Sequence, residues 1–351
     1  MTAPAHERPV VGVLVHGHDG KHPGSAFVRV VLRARWAARR GLLSHRVLDV
    51  EQVVADGLPR DLDVLLVQRD ALLTPESARA VLADADVRGI PVVLDLDDDL
   101  VTGEARNRLQ ALEYSAERLA ALDETLTAAA TVVVTTDELA GRLRSVVDGV
   151  HVATVPNALD PGLWGSTTTF SAVAPAEGEP RALYMGSHTH GADLELLRQV
   201  PSAPGPALDV LGVTSDAGSW YETMALGKRA MPYPLLVTHL RRGRRRWTVA
   251  LAPLVDEHFN AAKSDLKFLE YSAMGLPTVA SARGPYAGAG QHGAFLVDGG
   301  VDEWRETVRT VLADEASRID HARRAEAYVR DQRLYRLDDG WLDALTGASR
   351  H

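Results

Sequence analysis

Lys263, Lys267, Glu270 and Met274 lie four, three and four residues apart, a spacing that puts them on one stripe of a helix beginning near Lys263. Leu266, Leu269 and Ala273 make a second, apolar stripe. Two ammonium groups can neutralise phosphate, and a carboxylate on the same stripe can accept both hydroxyls of a ribose. Such a set suits a nucleoside diphosphate. The plain alternative is a surface helix with a Lys–Glu pair worth about 0.3–0.5 kcal/mol. It fits less well. The chain has only four lysines, and two of them stand in a segment otherwise full of Leu, Phe and Tyr.

Two other places carry candidate chemistry. His16-Gly17-His18-Asp19-Gly20 follows a strand-like run, and Gly24-Ser25-Ala26 opens the next helix. Glycine there lets backbone approach a ligand, and a helix N-terminus favours an anion. The pattern is not GxGxxG, so it gives little support for a dinucleotide. Arg29, one turn into the helix, could reach the same place. The acidic run Asp95-Leu96-Asp97-Asp98-Asp99 follows another strand, at the carboxyl edge where α/β proteins bind ligands. Its Asp-x-Asp spacing invites a divalent cation, and its plain reading is a loop capping the helix around Arg106. The five arginines of residues 241–246 read as a solvated helix end, although such a run could also meet an anionic membrane or partner. The histidines show no metal-ligand spacing, and no metal is expected.

The elements that must position these residues alternate. Val10 to Val15, Val47 to Val50, Val64 to Val67, Val92 to Leu96 and Val132 to Val134 read as buried strands. Helical periodicity covers Ser25 to Arg40, Pro75 to Arg88, Arg106 to Ala129 and Asp137 to Val147. The stretch from Val155 to Pro180 is rich in Pro, Gly, Ser and Thr and interrupts the pattern. Strand-like runs then resume at Ala182, Ala207, Val249, Thr278 and Phe295, with helices around Asp193 to Gln199, Lys263 to Met274, Val301 to Asp314, Ser317 to Arg330 and Asp339 to Thr346. Near-continuous apolar strands separated by helices predict parallel sheets covered on both faces. The expected organisation is α/β throughout. Residues 1–160 form a first domain, 161–180 a linker and 181–332 a second, with a final helix in residues 333–351. A cleft between the domains is the default site.

A length of 351 residues accommodates two such domains. With 38 basic and 47 acidic residues the net charge is −9, which argues against a nucleic-acid partner. The chain has no cysteine, which excludes disulfides, thiol nucleophiles and thiolate metal sites. No apolar run is long enough to span a bilayer, and the first residues lack the plan of a secretion signal, so a cytoplasmic chain is expected. Peripheral membrane contact has no support, and the oligomeric state is left open.

The stretch Leu251 to Tyr286, LAPLVDEHFNAAKSDLKFLEYSAMGLPTVASARGPY, resembles the donor-site signature of retaining GT-B glycosyltransferases close to glycosyltransferase family 4. YMGSHTHGADL at Tyr184, VPNALD at Val155 and VVVTTDELAGRL at Val132 resemble other parts of that family's pattern. The resemblance implies a GT-B fold, with two Rossmann-like domains and a C-terminal helix crossing back to the first. It implies retaining transfer of a sugar from a nucleoside diphosphate donor to an acceptor hydroxyl, in natural-product or cell-surface glycan biosynthesis, with Asp97 or Asp98 orienting that hydroxyl. Glu270 would bind the ribose. Lys263 and Lys267 would bind the diphosphate, helped by backbone amides at Gly186 and Ser187. His16, Gly17, Arg29, His188 and Tyr286 are further donor-side candidates. Asp97, Asp98, His16 and Lys267 are the catalytic candidates, and the acidic run faces the acceptor. There are two departures. The family's first glutamate would fall at position 262, which is Ala262, with Asp265 or Asp256 as substitutes. The basic pair expected after the first donor-domain strand is replaced by Gly186-Ser187-His188-Thr189-His190. A non-catalytic nucleotide-sugar-binding homologue, or an epimerase of the same shape, is the alternative.

Overall fold

The computed structural model describes residues 8–17, 24–165, 178–186, 190–202, 205–212, 220–224 and 232–347. The chain divides into two compact units, Met1–Asn157 with Tyr335–His351, and Ala158–Leu334.

Unit 1 contains strands β1 (Val10–Leu14), β2 (Ser44–Leu48), β3 (Val64–Gln68), β4 (Val92–Leu96), β5 (Thr131–Val134) and β6 (Val152–Thr154). All pairings are parallel, in the order β2-β1-β3-β4-β5-β6. The central strands β3, β4 and β5 are buried along their whole length. Their unbroken Val and Leu runs follow from helices covering both faces. The edge strand β2 keeps a polar sequence and partial exposure. Strand order reverses beside β1, so the segments that leave β1 and β3 diverge to opposite faces and open a crevice at their carboxyl ends.

Unit 2 contains β7 (Arg181–Met185), β8 (Ala207–Leu211), β9 (Glu222–Thr223), β10 (Val249–Ala252), β11 (Thr278–Ser281) and β12 (Phe295–Val297). The order is β12-β11-β10-β7-β8-β9, again all parallel, with the reversal between β7 and β10. Its core gathers Tyr184, Leu208, Val249, Leu251 and Val279 under Trp304 and Val308. No helix among the described residues is long and apolar enough to cross a membrane.

Several elements differ from the sequence expectation. The helix expected over Arg106 to Ala129 is two helices, Gly103–Ala111 and Ala116–Ala128. They break where Glu113 turns to φ +58° and Ser115 caps the second helix. Tyr114, between them, is held inward by donating to Asp70. The helix after β1 contains a π turn at Phe27–Val31, all of it buried. The start of the expected linker is ordered: Pro161–Trp164 is helical, Trp164 is buried, and Arg241 donates to the Leu163 carbonyl. The arginine run is correspondingly more than a solvated end. Arg246 pairs with the buried Asp209 at 2.8 Å, which also accepts from Trp247 Nε1 at 2.8 Å.

The return segment of unit 1 is tied to the helix after β1. Tyr335 donates to the Val28 carbonyl at 2.6 Å, and the Arg33 guanidinium lies 5.0 Å from the Tyr335 ring centroid and 5.9 Å from that of Trp341. Arg29, the middle residue of the π turn, is turned inward. Its Nη2 donates to Asp95 at 2.6 Å, its Nε to both Asp95 oxygens, and its Nη1 to the Val155 carbonyl at 2.6 Å and to Asn157 Oδ1 at 3.2 Å. The pair is buried on both sides. Breaking a buried pair from one side leaves a charge without compensation. Arg29→Met should therefore destabilise unit 1 by about 3–5 kcal/mol, and adding Asp95→Leu should restore most of the loss. Hydrogen exchange at the β4 amides measures both, and an unchanged exchange rate in the single variant would refute the assignment.

Candidate functional site

In unit 2 the carboxyl ends of β7 and β10, the strands that flank the reversal, carry the charged residues. Gly186 follows β7, and its amide donates to the Leu211 carbonyl. Gly212 approaches it with φ +87°, and a Cβ there would stand 2.2 Å from the Gly186 oxygen, so only glycine fits. Ser187 and His188 lie outside the described residues. The chain resumes at His190, whose Nδ1 is 2.7 Å from Asp193 Oδ2. Asp193 Oδ1 accepts from the Val255 amide at 2.8 Å and from Asn260 Nδ2 at 3.1 Å, which fastens the β7 loop to the segment after β10.

Lys263 and Lys267 reach this point from different elements. The expected single stripe from Lys263 is corrected: His258–Ala261 is one short helix, Leu266–Ala273 another, and Lys263 lies between them. Asp265 stands at the head of the second helix, with both oxygens held by Arg333 at 2.6 and 2.8 Å. The two ammonium groups nonetheless converge, at 3.3 and 3.4 Å from His190 Nδ1. Lys267 also lies over the Tyr184 ring and Lys263 over the Phe259 ring, each 5.2 Å from the centroid. Burial, then the charge of Lys267, push His190 down to about 4, with Asp193 opposing and Lys263 assisting. The imidazole is neutral at ordinary pH and adds no third positive charge. Burial works against the Asp193 carboxylate, but His190 and the two lysines hold it below the usual range.

Glu270 follows from the same helix, which is buried nearly all round. Its Oε1 accepts from the Tyr233 hydroxyl at 2.5 Å. Burial raises its pKa to about 7, with Tyr233 and Lys267 pulling the other way. Tyr286 is buried in the turn after β11. Ala262 is fully buried and supplies no carboxylate; Asp256, one of the suggested substitutes, is exposed and 3.8 Å from Arg283. Tyr233 and His190 were not among the residues singled out from sequence. His190 and Asp193 had a readable signal, the i,i+3 spacing at the start of a helix. Tyr233 had only the Pro232-Tyr233-Pro234 helix start.

In unit 1 the acidic run folds back on Arg69. This residue ends β3 with φ +52°, a left-handed backbone that an arginine rarely adopts. Its Nη1 donates to Asp97 at 3.0 Å and to Asp98 at 2.9 Å. Burial raises Asp97 to about 6 against the pull of Arg69, with Asp98 and Asp95 adding to the rise. Asp99 is structural: it accepts from the Val101 and Thr102 amides, the Thr102 hydroxyl and Arg142. His16 and Gly17 follow β1, Gly17 with φ +92°, and line a cavity within unit 1. Arg29 is not part of that lining.

Glu270 has a pH signature that isolates it. Below pH 4.5, its ordinary value, it is protonated folded and unfolded. From there to about 7 the unfolded chain releases the proton while the folded chain keeps it, so stability falls as pH rises. Glu270→Gln keeps an acceptor for Tyr233 and lacks this slope. The variant should therefore gain stability relative to the parent between pH 4.5 and 7 and level off above. Denaturant titrations across that range check it; a pH-independent difference would count against a buried carboxyl.

No family model matches the chain, and no curated protein matches its sequence. Solved structures do match along nearly the whole length. Sucrose-phosphate synthase from Thermosynechococcus elongatus has a TM-score of 0.62 at 14% identity, over 98% of this chain and 98% of that one. Anabaena HepE in complex with UDP and glucose has 0.62 at 15%, over 98% and 100%. A glycosyltransferase from Rickettsia africae has 0.60 at 9%, over 98% and 97%. The two parallel six-stranded sheets are thus those of the GT-B glycosyltransferase fold.

Proposed function

We propose that the protein is a glycosyltransferase that moves a sugar from a UDP-sugar to an acceptor hydroxyl. The observation that carries this reading is the meeting of Lys263 and Lys267 with His190 and Asp193 at the β7/β10 reversal, with Glu270 one turn beyond Lys267. UDP is the nucleotide named with HepE, and a UDP-forming trehalose-phosphate synthase shares the fold with a TM-score of 0.52. In this reading Glu270 binds the ribose, the two lysines the diphosphate, and Gly186 and Tyr286 border the donor. Unit 1 takes the acceptor, with Asp97 or Asp98 orienting its hydroxyl and His16 beside it. Retention at the anomeric carbon follows the resemblance of Leu251 to Tyr286, as does a role in natural-product or cell-surface glycan biosynthesis. Ala262 favours a second reading, a homologue that binds nucleotide sugars without turning them over. Turnover of a donor panel separates the two.

The leaving diphosphate gains charge as the glycosidic bond breaks, so a fixed cation beside it favours the transition state over the ground state. Lys267→Met keeps the packing of the side-chain stem and removes the charge. The expected result is a fall in kcat of about 100-fold or more, larger than any rise in donor KM. A near-normal kcat would reduce Lys267 to a packing residue.

Transfer should also survive a chelator, because the lysines supply the positive charge and Arg69 pairs with both Asp97 and Asp98. Activity lost in EDTA and restored by manganese or magnesium would instead make residues 95–99 a metal site.

A further inference from the structure

Unit 1 holds a cavity of about 800 Å³ at the carboxyl ends of β1, β2 and β3. It therefore sits over the reversal beside β1, where doubly wound sheets bind ligands. Its size falls in the range of pockets that enclose a drug-sized molecule. Its walls are chiefly apolar. Val15, Phe27, Val31 and Ala71 form the inner part, and all four are buried. Val47, Val54 and Leu73 also line it, although they are 40%, 43% and 39% exposed. They belong to the short set of large apolar side chains that the described chain leaves in water. Their clustering around one opening is a second observation, independent of the cavity itself.

Asp49, Thr74 and Ser77, three of the polar residues of the wall, have local duties. Asp49 Oδ1 accepts from the Gln52 amide at 3.0 Å and caps the Val50–Asp56 helix. Thr74 and Ser77 cap the Pro75–Val87 helix reciprocally, through Ser77 N to Thr74 Oγ1 at 3.2 Å and Thr74 N to Ser77 Oγ at 3.3 Å. A free sugar needs a partner for each of several hydroxyls, and leaving them unmade in such a wall is costly. An apolar body needs only the exclusion of water, which Val47, Val54 and Leu73 provide at the rim. His16, just after β1, and the exposed Arg35 and Glu51 are the remaining polar residues of the wall.

We infer that this cavity binds an acceptor whose body is a compact apolar ring system bearing a hydroxyl, such as a phenol or a fused-ring alcohol, and not a free sugar. The inference rests on reading unit 1 as the acceptor unit, and it specifies that reading further.

The test uses the full chain and 2-naphthol as probe, followed by fluorescence titration, with UDP titrated in parallel by calorimetry. Naphthol should bind saturably. Val54→Asp and Leu73→Asp should each weaken it about tenfold or more by placing a carboxylate against the ring. Both positions are exposed enough for the variants to fold, and hydrogen exchange at the β1 and β3 amides matching the parent shows that unit 1 has. Absence of naphthol binding, equal binding to both variants, or displacement by glucose at similar concentration would overturn the inference. Naphthol binding of the expected pattern in a chain that ignores UDP would uphold the cavity and overturn the sugar-transfer reading instead.

Discussion

Every strand pairing among the described residues is parallel, and a parallel sheet must be covered by helices on both faces. That constraint leaves no sheet face for chemistry. It also explains why β3, β4, β5, β10 and β11 are buried throughout. Ligand-binding groups are confined to the carboxyl edges, and among edge positions the crevice lies where strand order reverses. The two units obey the same rule with opposite chemistry. Unit 2 brings lysines, a neutral histidine and a carboxylate to its reversal. Unit 1 ties its edge charges to one another, Arg29 with Asp95, Arg69 with Asp97 and Asp98, Asp99 with Arg142, and leaves an apolar hollow beside them.

Charge at the unit 2 reversal is organised by Asp193. One of its oxygens faces His190 and the other faces the Val255 amide and Asn260. A carboxylate so bonded fixes the β7 loop against the β10 segment. It also offsets part of the repulsion between two ammonium groups brought to one imidazole.

The alternation of strands and helices was readable because buried parallel strands are unbroken apolar runs; the GT-B architecture came only from the resemblance of Leu251 to Tyr286. Lys263, Lys267 and Glu270 were readable as a group because lysine is scarce and the segment is otherwise apolar. Their geometry was not. Helical spacing assumed one continuous helix, whereas the chain breaks at residues 262–265 and Lys263 arrives from a loop. Glu270 faces inward to Tyr233, a contact 37 residues away in sequence that no local pattern encodes. Arg29 illustrates the same limit. Its position one turn into a helix suggested access to a ligand, but a π turn rotates it toward Asp95, and the partner that decides its orientation lies 66 residues on. The split at Glu113 likewise depends on Tyr114 finding Asp70. Local periodicity specifies which face is apolar; long-range polar partners decide where the charged residues finally point.

Unit 1 is assembled from both ends of the described chain, because the polypeptide leaves it after Asn157 and re-enters at Tyr335. Tyr335, Trp341 and Leu345 are all buried in it. During synthesis the first six strands emerge long before these side chains exist. Unit 2, an uninterrupted stretch, is complete while the helix after β1 still lacks the Tyr335 hydroxyl that bonds Val28 and the rings that stack on Arg33. Unit 1 is begun before unit 2 and its packing is finished after it, because Tyr335 follows the final residue of unit 2.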